Sequence, residues 1–128
     1  MITGTVTSEF EAVLTVELQG AGGESETLRA AVDTGFDGFL TLPSSVIARL
    51  GFPFQGLADL VLADGSAVIL AVFEAIVIWY GKAIPVSAIE SEGGALVGMR
   101  LLYGSRLTMD VLENGPVRIE PIKQKTHA

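Results

Sequence analysis

Apolar and polar positions alternate in short runs along most of this 128-residue chain, the period-two signature of strands with one face buried. The alternation predicts a first hairpin from residues 2–7 and 12–18, a polar loop over 19–26 containing Gly20, Gly22 and Gly23, and a strand over 27–32. A short strand at 39–42 follows. Pro43 fits a first helical turn, where its missing N–H costs nothing. Val46, Ile47 and Leu50 then share one face and Gly51 stops the helix, so 43–50 reads as a short helix. Strands at 57–62 and 66–71 flank Asp64-Gly65, a strong hairpin signal. The second of them continues over 72–80, turns at Gly81-Lys82 and returns over 83–89. Residues 90–94 read as loop, 95–98 as a short apolar strand ending in Gly98, and 99–103 as a second short helix closed by Gly104. A last hairpin pairs 107–112 with 116–122 across Glu113-Asn114-Gly115. The fold class expected is all-β, mostly strand with two short helices, in a single domain over 1–122 with a polar tail at 123–128.

Composition narrows the partners. Eight Lys and Arg against fifteen Asp and Glu leave a net charge of −7, which disfavours nucleic acid as a ligand because phosphate binding needs a basic face. There are no cysteines, so disulfides, thiolate metal sites and a cysteine nucleophile are excluded together. That fits a reducing compartment. The one histidine, His127, sits in the tail, where it reads as a frayed residue and not as half of a Ser–His pair. The start of the chain is polar and Thr-rich, without the basic and apolar segments of a signal peptide. The longest apolar stretch, 67–80, is broken by Glu74 and is shorter than the roughly 20 residues of a spanning helix. The expectation is a cytoplasmic protein with no membrane contact. At 49% hydrophobic residues, part of the apolar surface is expected to meet another chain.

The chemistry concentrates in Asp33-Thr34-Gly35. An ionisable Asp at the mouth of an apolar strand, followed by a hydroxyl and a glycine, is an arrangement that acid–base work explains. Two carboxylates about 3 Å apart cannot both ionise and share one proton, which yields a general base and a general acid in one site. Gly35 leaves room for backbone beside the carboxylates, and Thr34 offers a donor and acceptor to lock the loop. One chain supplies only one such triplet, since Asp64-Gly65-Ser66 has the wrong order and Asp110 is followed by Val111-Leu112. A two-fold dimer brings the same Asp from each chain to the axis. The same triplet also suits a plain turn capped by Asp33.

The order of elements around the triplet resembles the retropepsin-like aspartic proteases, the family of retroviral proteases and their small bacterial relatives. The resemblance runs over residues 2–122. It implies a retropepsin-like acid protease barrel with one lobe per chain, no cofactor and no metal, a homodimer, and a peptide or protein substrate. It implies Asp33 as the catalytic aspartate, Thr34 as the residue bonding across to the partner loop, and Gly35 as the end of the motif. It implies substrate contacts from Phe36, Asp37 and Gly38 beside the triplet. Residues 62–67 resemble the flap over the substrate, with Ala63, Asp64, Gly65 and Ser66 at its tip. Leu96-Val97-Gly98 resembles the strand that crosses behind the catalytic loop, and the last hairpin is implied as dimer surface. The chain departs from the pattern at Phe36, where the family commonly has Ala or Ser. The flap is short and holds one glycine. Met99 follows Gly98 with Arg100 one place later, where an ion pair with Asp37 is an open alternative to a solvated Asp37. The function expected is aspartic endopeptidase activity; the alternative is a catalytically inactive peptide-binding or dimerisation module on the same fold.

Overall fold

Thirteen consecutive residues with a single charge, Ala67–Trp79, form the longest strand and tie most of the fold together. The computed structural model describes residues 1–123. In chain order the elements are β1 (Ile2–Val6), β2 (Ala12–Gln19), β3 (Ser25–Val32), β4 (Leu40–Leu42), α1 (Ser44–Leu50), β5 (Phe54–Val61), β6 (Ala67–Trp79), β7 (Lys82–Glu90), β8 (Leu96–Val97), α2 (Met99–Leu102), β9 (Ser105–Met109) and β10 (Pro116–Pro121). All ten strands belong to one sheet in the order β5-β6-β7-β4-β8-β3-β2-β1-β10-β9. A further pairing of β2 with β6, Glu17 with Ile78 and Leu18 with Val77, returns the sheet on itself and closes β6-β7-β4-β8-β3-β2 into a ring. The β5–β6 hairpin extends from that ring, and β1, β10 and β9 continue it on the other side. No helix among the described residues is long and apolar enough to cross a membrane.

The core follows from alternation. In β2, Leu14, Val16 and Leu18 are buried while Thr15 and Glu17 point out. They meet Leu40 and Leu42 of β4, Ala75 and Val77 of β6, and Val97 of β8 in one buried cluster. Val46, Ile47 and Leu50 of α1 join it, the one-face spacing that the sequence carries.

Several boundaries differ from the sequence expectation. Pro43 is extended (φ −68°, ψ 151°) and precedes α1 instead of sitting inside it. Its carbonyl accepts from Val46 and Ile47, but it has no side-chain acceptor for the first free N–H. Glu92, exposed in the loop that follows β7, supplies one: its Oε1 accepts from the Ser44 N–H at 2.9 Å. The other end of α1 is as expected, with Gly51 left-handed (φ 70°) and its N–H turned back to Ala48. The β5–β6 hairpin is longer than the pattern suggested because β5 begins at Phe54, three residues early; β6 runs unbroken from the turn into the core, as the pattern has it. The last hairpin is shorter, because Val111 and Leu112 leave the ladder in the turn between β9 and β10. The tail from Gln124 onward, His127 included, lies outside the described residues.

The Glu92 contact gives a pH prediction. Hydrogen bonding from Ser44 holds the Glu92 carboxyl below the usual glutamate value. A carboxyl lowered in the folded state adds stability above its unfolded value, and that stability is lost as pH falls through the folded value. Melting temperature therefore falls more steeply with acid in the natural protein than in Glu92→Gln, which a pair of thermal melts across the acid range measures; parallel curves contradict the assignment.

Candidate active site

Asp33 stands where β3 leaves the sheet, and the backbone on both sides of it is tied to β8. The Ala31 N–H donates to Ala95 O (3.0 Å) and the Asp33 N–H to Val97 O (2.9 Å). β8 runs parallel to β3, pairing Ala31 with Leu96 and Val32 with Val97. On its other side it runs antiparallel to β4, pairing Leu40 with Val97 and Thr41 with Leu96. A two-residue strand thus lies between the strand entering the Asp33 loop and the strand leaving it. Thr41, a buried hydroxyl that sequence reasoning did not single out, anchors this junction by donating to Gly94 O (3.1 Å) and accepting from the Leu96 N–H (2.9 Å). Its only signal was a polar residue between two core leucines.

Within the loop, Asp33 Oδ1 accepts from the Gly35 N–H at 2.9 Å, and the Phe36 N–H donates to Asp33 O at 3.2 Å. This is the turn an Asp side chain forms with the backbone two residues on, and it fixes the carboxylate. Asp33 is half-buried, while Thr34, Gly35 and Asp37 are exposed. Gly98 and the first residues of α2 fasten the loop from below: Gly98 N–H donates to Phe39 O (3.0 Å), Met99 N–H to Phe36 O (2.8 Å) and Arg100 N–H to Gly38 O (3.1 Å). Gly98 is buried, and a methyl group there would overlap Gly38 O and stand 2.8 Å from Phe36 O.

Phe36 is accommodated by glycine. Its ring lies against Gly38 and Gly98, close enough that a β-carbon on either would stand about 2.5 Å from a ring carbon. The side chain is half-buried in this way. Asp37 makes no ion pair with Arg100 among the described residues; the Arg100 guanidinium lies over the Phe39 ring, 5.9 Å from its centre, with its backbone committed to Gly38. A cavity of about 500 Å³ lies between the loop at Thr7–Glu11, Arg29 to Ala31 of β3 and Gly93 to Leu96; Asp33 does not line it.

The candidate residues therefore fall in two places. Asp33, Thr34, Gly35, Phe36, Asp37 and Gly38 form one loop. Ala63, Asp64, Gly65 and Ser66 form the exposed tip of the β5–β6 hairpin. That tip is closed by Leu62 N–H to Ser66 O (2.8 Å) and Gly65 N–H to Leu62 O (2.9 Å), with Gly65 left-handed (φ 86°). Asp64 Oδ1 accepts from both the Ser66 hydroxyl (2.6 Å) and its N–H (2.9 Å), which lowers the Asp64 carboxyl below the usual aspartate value. Among the described residues no group of three or more His, Asp or Glu is placed to hold a metal ion.

No family model matches the chain, and no curated protein matches it. A solved structure does: the crystal structure of a retropepsin-like aspartic protease from Rickettsia conorii superposes over 95% of this chain and 91% of that one, with a TM-score of 0.56 at 14% sequence identity. At that identity the likeness is one of fold, and the fold of this mostly-β chain with its two short helices is retropepsin-like.

Proposed function

We propose that this chain is one half of an aspartic endopeptidase whose dyad is completed by Asp33 of a second copy. The observation that carries the reading is the Asp33 carboxylate, held by the Gly35 N–H at the exposed end of β3 in a loop braced by β8 and α2. A two-fold axis beside that loop brings two such carboxylates together, and they share one proton. The ionised carboxylate takes a proton from water as its oxygen attacks the peptide carbonyl, and the protonated one donates to the carbonyl oxygen. Return of a proton to the amide nitrogen lets the C–N bond break. The substrate lies extended between the Asp33 loops and the hairpin tip at Ala63–Ser66, using strand-like backbone pairing. The exposed backbone edge of β9, at the end of the sheet, is available to the dimer contact.

The rival reading is a non-catalytic peptide-binding or dimerisation module, and its support is Phe36. The packing of that ring onto Gly38 and Gly98 removes the main steric reason to regard the cleft as blocked. The test is incubation with a diverse peptide mixture from about pH 3.5 to about pH 7, a range in which a shared-proton pair works, read by mass spectrometry. Cuts that depend on Asp33 support the protease. A dimer that cuts nothing favours the binding module.

A further inference from the structure

Phe10 is an expensive residue where it stands. The loop from Thr7 to Glu11 is a tight hairpin turn: Thr7 N–H donates to Glu11 O (2.8 Å), Phe10 N–H to Thr7 O (3.1 Å), and Thr7 Oγ1 accepts from the N–H groups of Glu9 and Glu11. Phe10 occupies the left-handed position (φ 66°) that such loops ordinarily give to glycine. Its side chain is 91% exposed, so no packing within the chain offsets the strain. Across a cavity of about 270 Å³, lined also by Val6 and Glu113, stand Val111 and Leu112, about 70% exposed. Their turn is equally fixed: Asn114 N–H donates to Val6 O, Gly115 N–H to Leu112 O and Leu112 N–H to Asp110 O. Three apolar side chains are thus held out by two hydrogen-bonded turns, the second tied to Val6 at the end of β1, next to the first.

The rim of this face is acidic. Glu9 and Glu11 flank Phe10, Asp110 flanks Val111, and Glu113 lines the cavity itself. All four are exposed, and among the described residues none has a cation within ion-pair distance. Arg29 lines the neighbouring cavity together with Glu9 and Glu11 but pairs with neither. A second copy on this face would set four carboxylates against four of their own, which is unfavourable. A cationic partner complements them.

We infer that the face formed by Phe10, Val111 and Leu112 receives a polypeptide segment in which apolar side chains are flanked by lysine or arginine. The apolar groups seat in the cavity between the two turns, and the cations meet the acidic rim. This goes beyond the proteolytic reading and does not require it.

The probe is a fluorescein-labelled peptide Lys-Lys-Leu-Leu-Lys-Lys, with Glu-Glu-Leu-Leu-Glu-Glu as its counterpart. Binding is read by fluorescence anisotropy on the full chain carrying Asp33→Asn, so that cleavage does not consume the probe. The expected result is binding of the basic peptide only, weakened by salt between about 50 and about 300 mM, and weakened about ten-fold or more by Phe10→Gly. That variant keeps the fold because glycine suits the left-handed backbone, and its melting temperature does not fall. The inference is overturned if the basic peptide does not bind, if the acidic peptide binds as well, or if Phe10→Gly binds as the parent does. It is overturned equally if Phe10→Gly turns a dimer into a monomer without changing peptide binding, which makes the face a contact between copies. Loss of cleavage with Asp33→Asn, measured separately, speaks to the proteolytic reading alone.

Discussion

Asp33→Asn lowers kcat/KM for peptide cleavage by at least about 10³-fold, the scale of a lost acid–base group, and leaves the melting temperature close to that of the natural protein. The amide keeps an oxygen where Asp33 Oδ1 accepts from the Gly35 N–H, so the turn persists. The carboxylate is half-exposed, so its replacement leaves no buried group unpaired. What disappears is the ability to take a proton from water. Kinetics and a thermal melt on the same preparation separate the two effects. Unchanged cleavage removes Asp33 from the chemistry. Lost cleavage together with a lost fold makes it a structural turn residue instead.

Gly98→Ala destabilises the protein by about 2–3 kcal/mol, the upper range for overpacking, and reduces cleavage further than that stability loss explains. The backbone at Gly98 (φ −103°) is open to any residue, so the effect is steric and not conformational. The added methyl meets Gly38 O and Phe36 O, which are backbone atoms, and a Phe36 ring carbon at 2.5 Å. Backbone oxygens cannot rotate aside as a side chain does, so the loop carrying Asp33 must shift. Combining Gly98→Ala with Phe36→Ala relieves the ring contact and leaves the carbonyl contacts, so stability is recovered only in part. A double-mutant cycle by chemical denaturation measures the coupling. A Gly98→Ala protein as stable and active as its parent contradicts the bracing of the loop by α2.

What the sequence makes legible here is what neighbours decide. Strand alternation in β2, the stop at Gly51, the turn at Asp64-Gly65 and the Asp at the end of β3 are carried by windows of a few residues. The structure adds what distant residues decide. Nothing local in Leu96-Val97 says that it pairs with β3 on one side and β4 on the other. Glu92 and Ser44 are 48 positions apart, so the cap on α1 is invisible to a pattern that places Glu92 in a polar loop. Phe36 reads as an obstruction until Gly38 and Gly98 are seen beneath its ring. The left-handed backbone of Phe10 follows from how the turn closes and not from residue type, so the sequence carries no sign of it.

The central claim is that one Asp33 is insufficient and two are needed in one site. Subunit mixing tests it most directly. Wild-type protein is held at a fixed concentration at which it is fully dimeric, increasing amounts of Asp33→Asn are added, and cleavage is followed after subunits exchange. Each mixed dimer then has one carboxylate, so activity falls to about half at equal amounts and continues toward zero with excess. Activity that stays constant as the inactive chain is added contradicts a shared dyad.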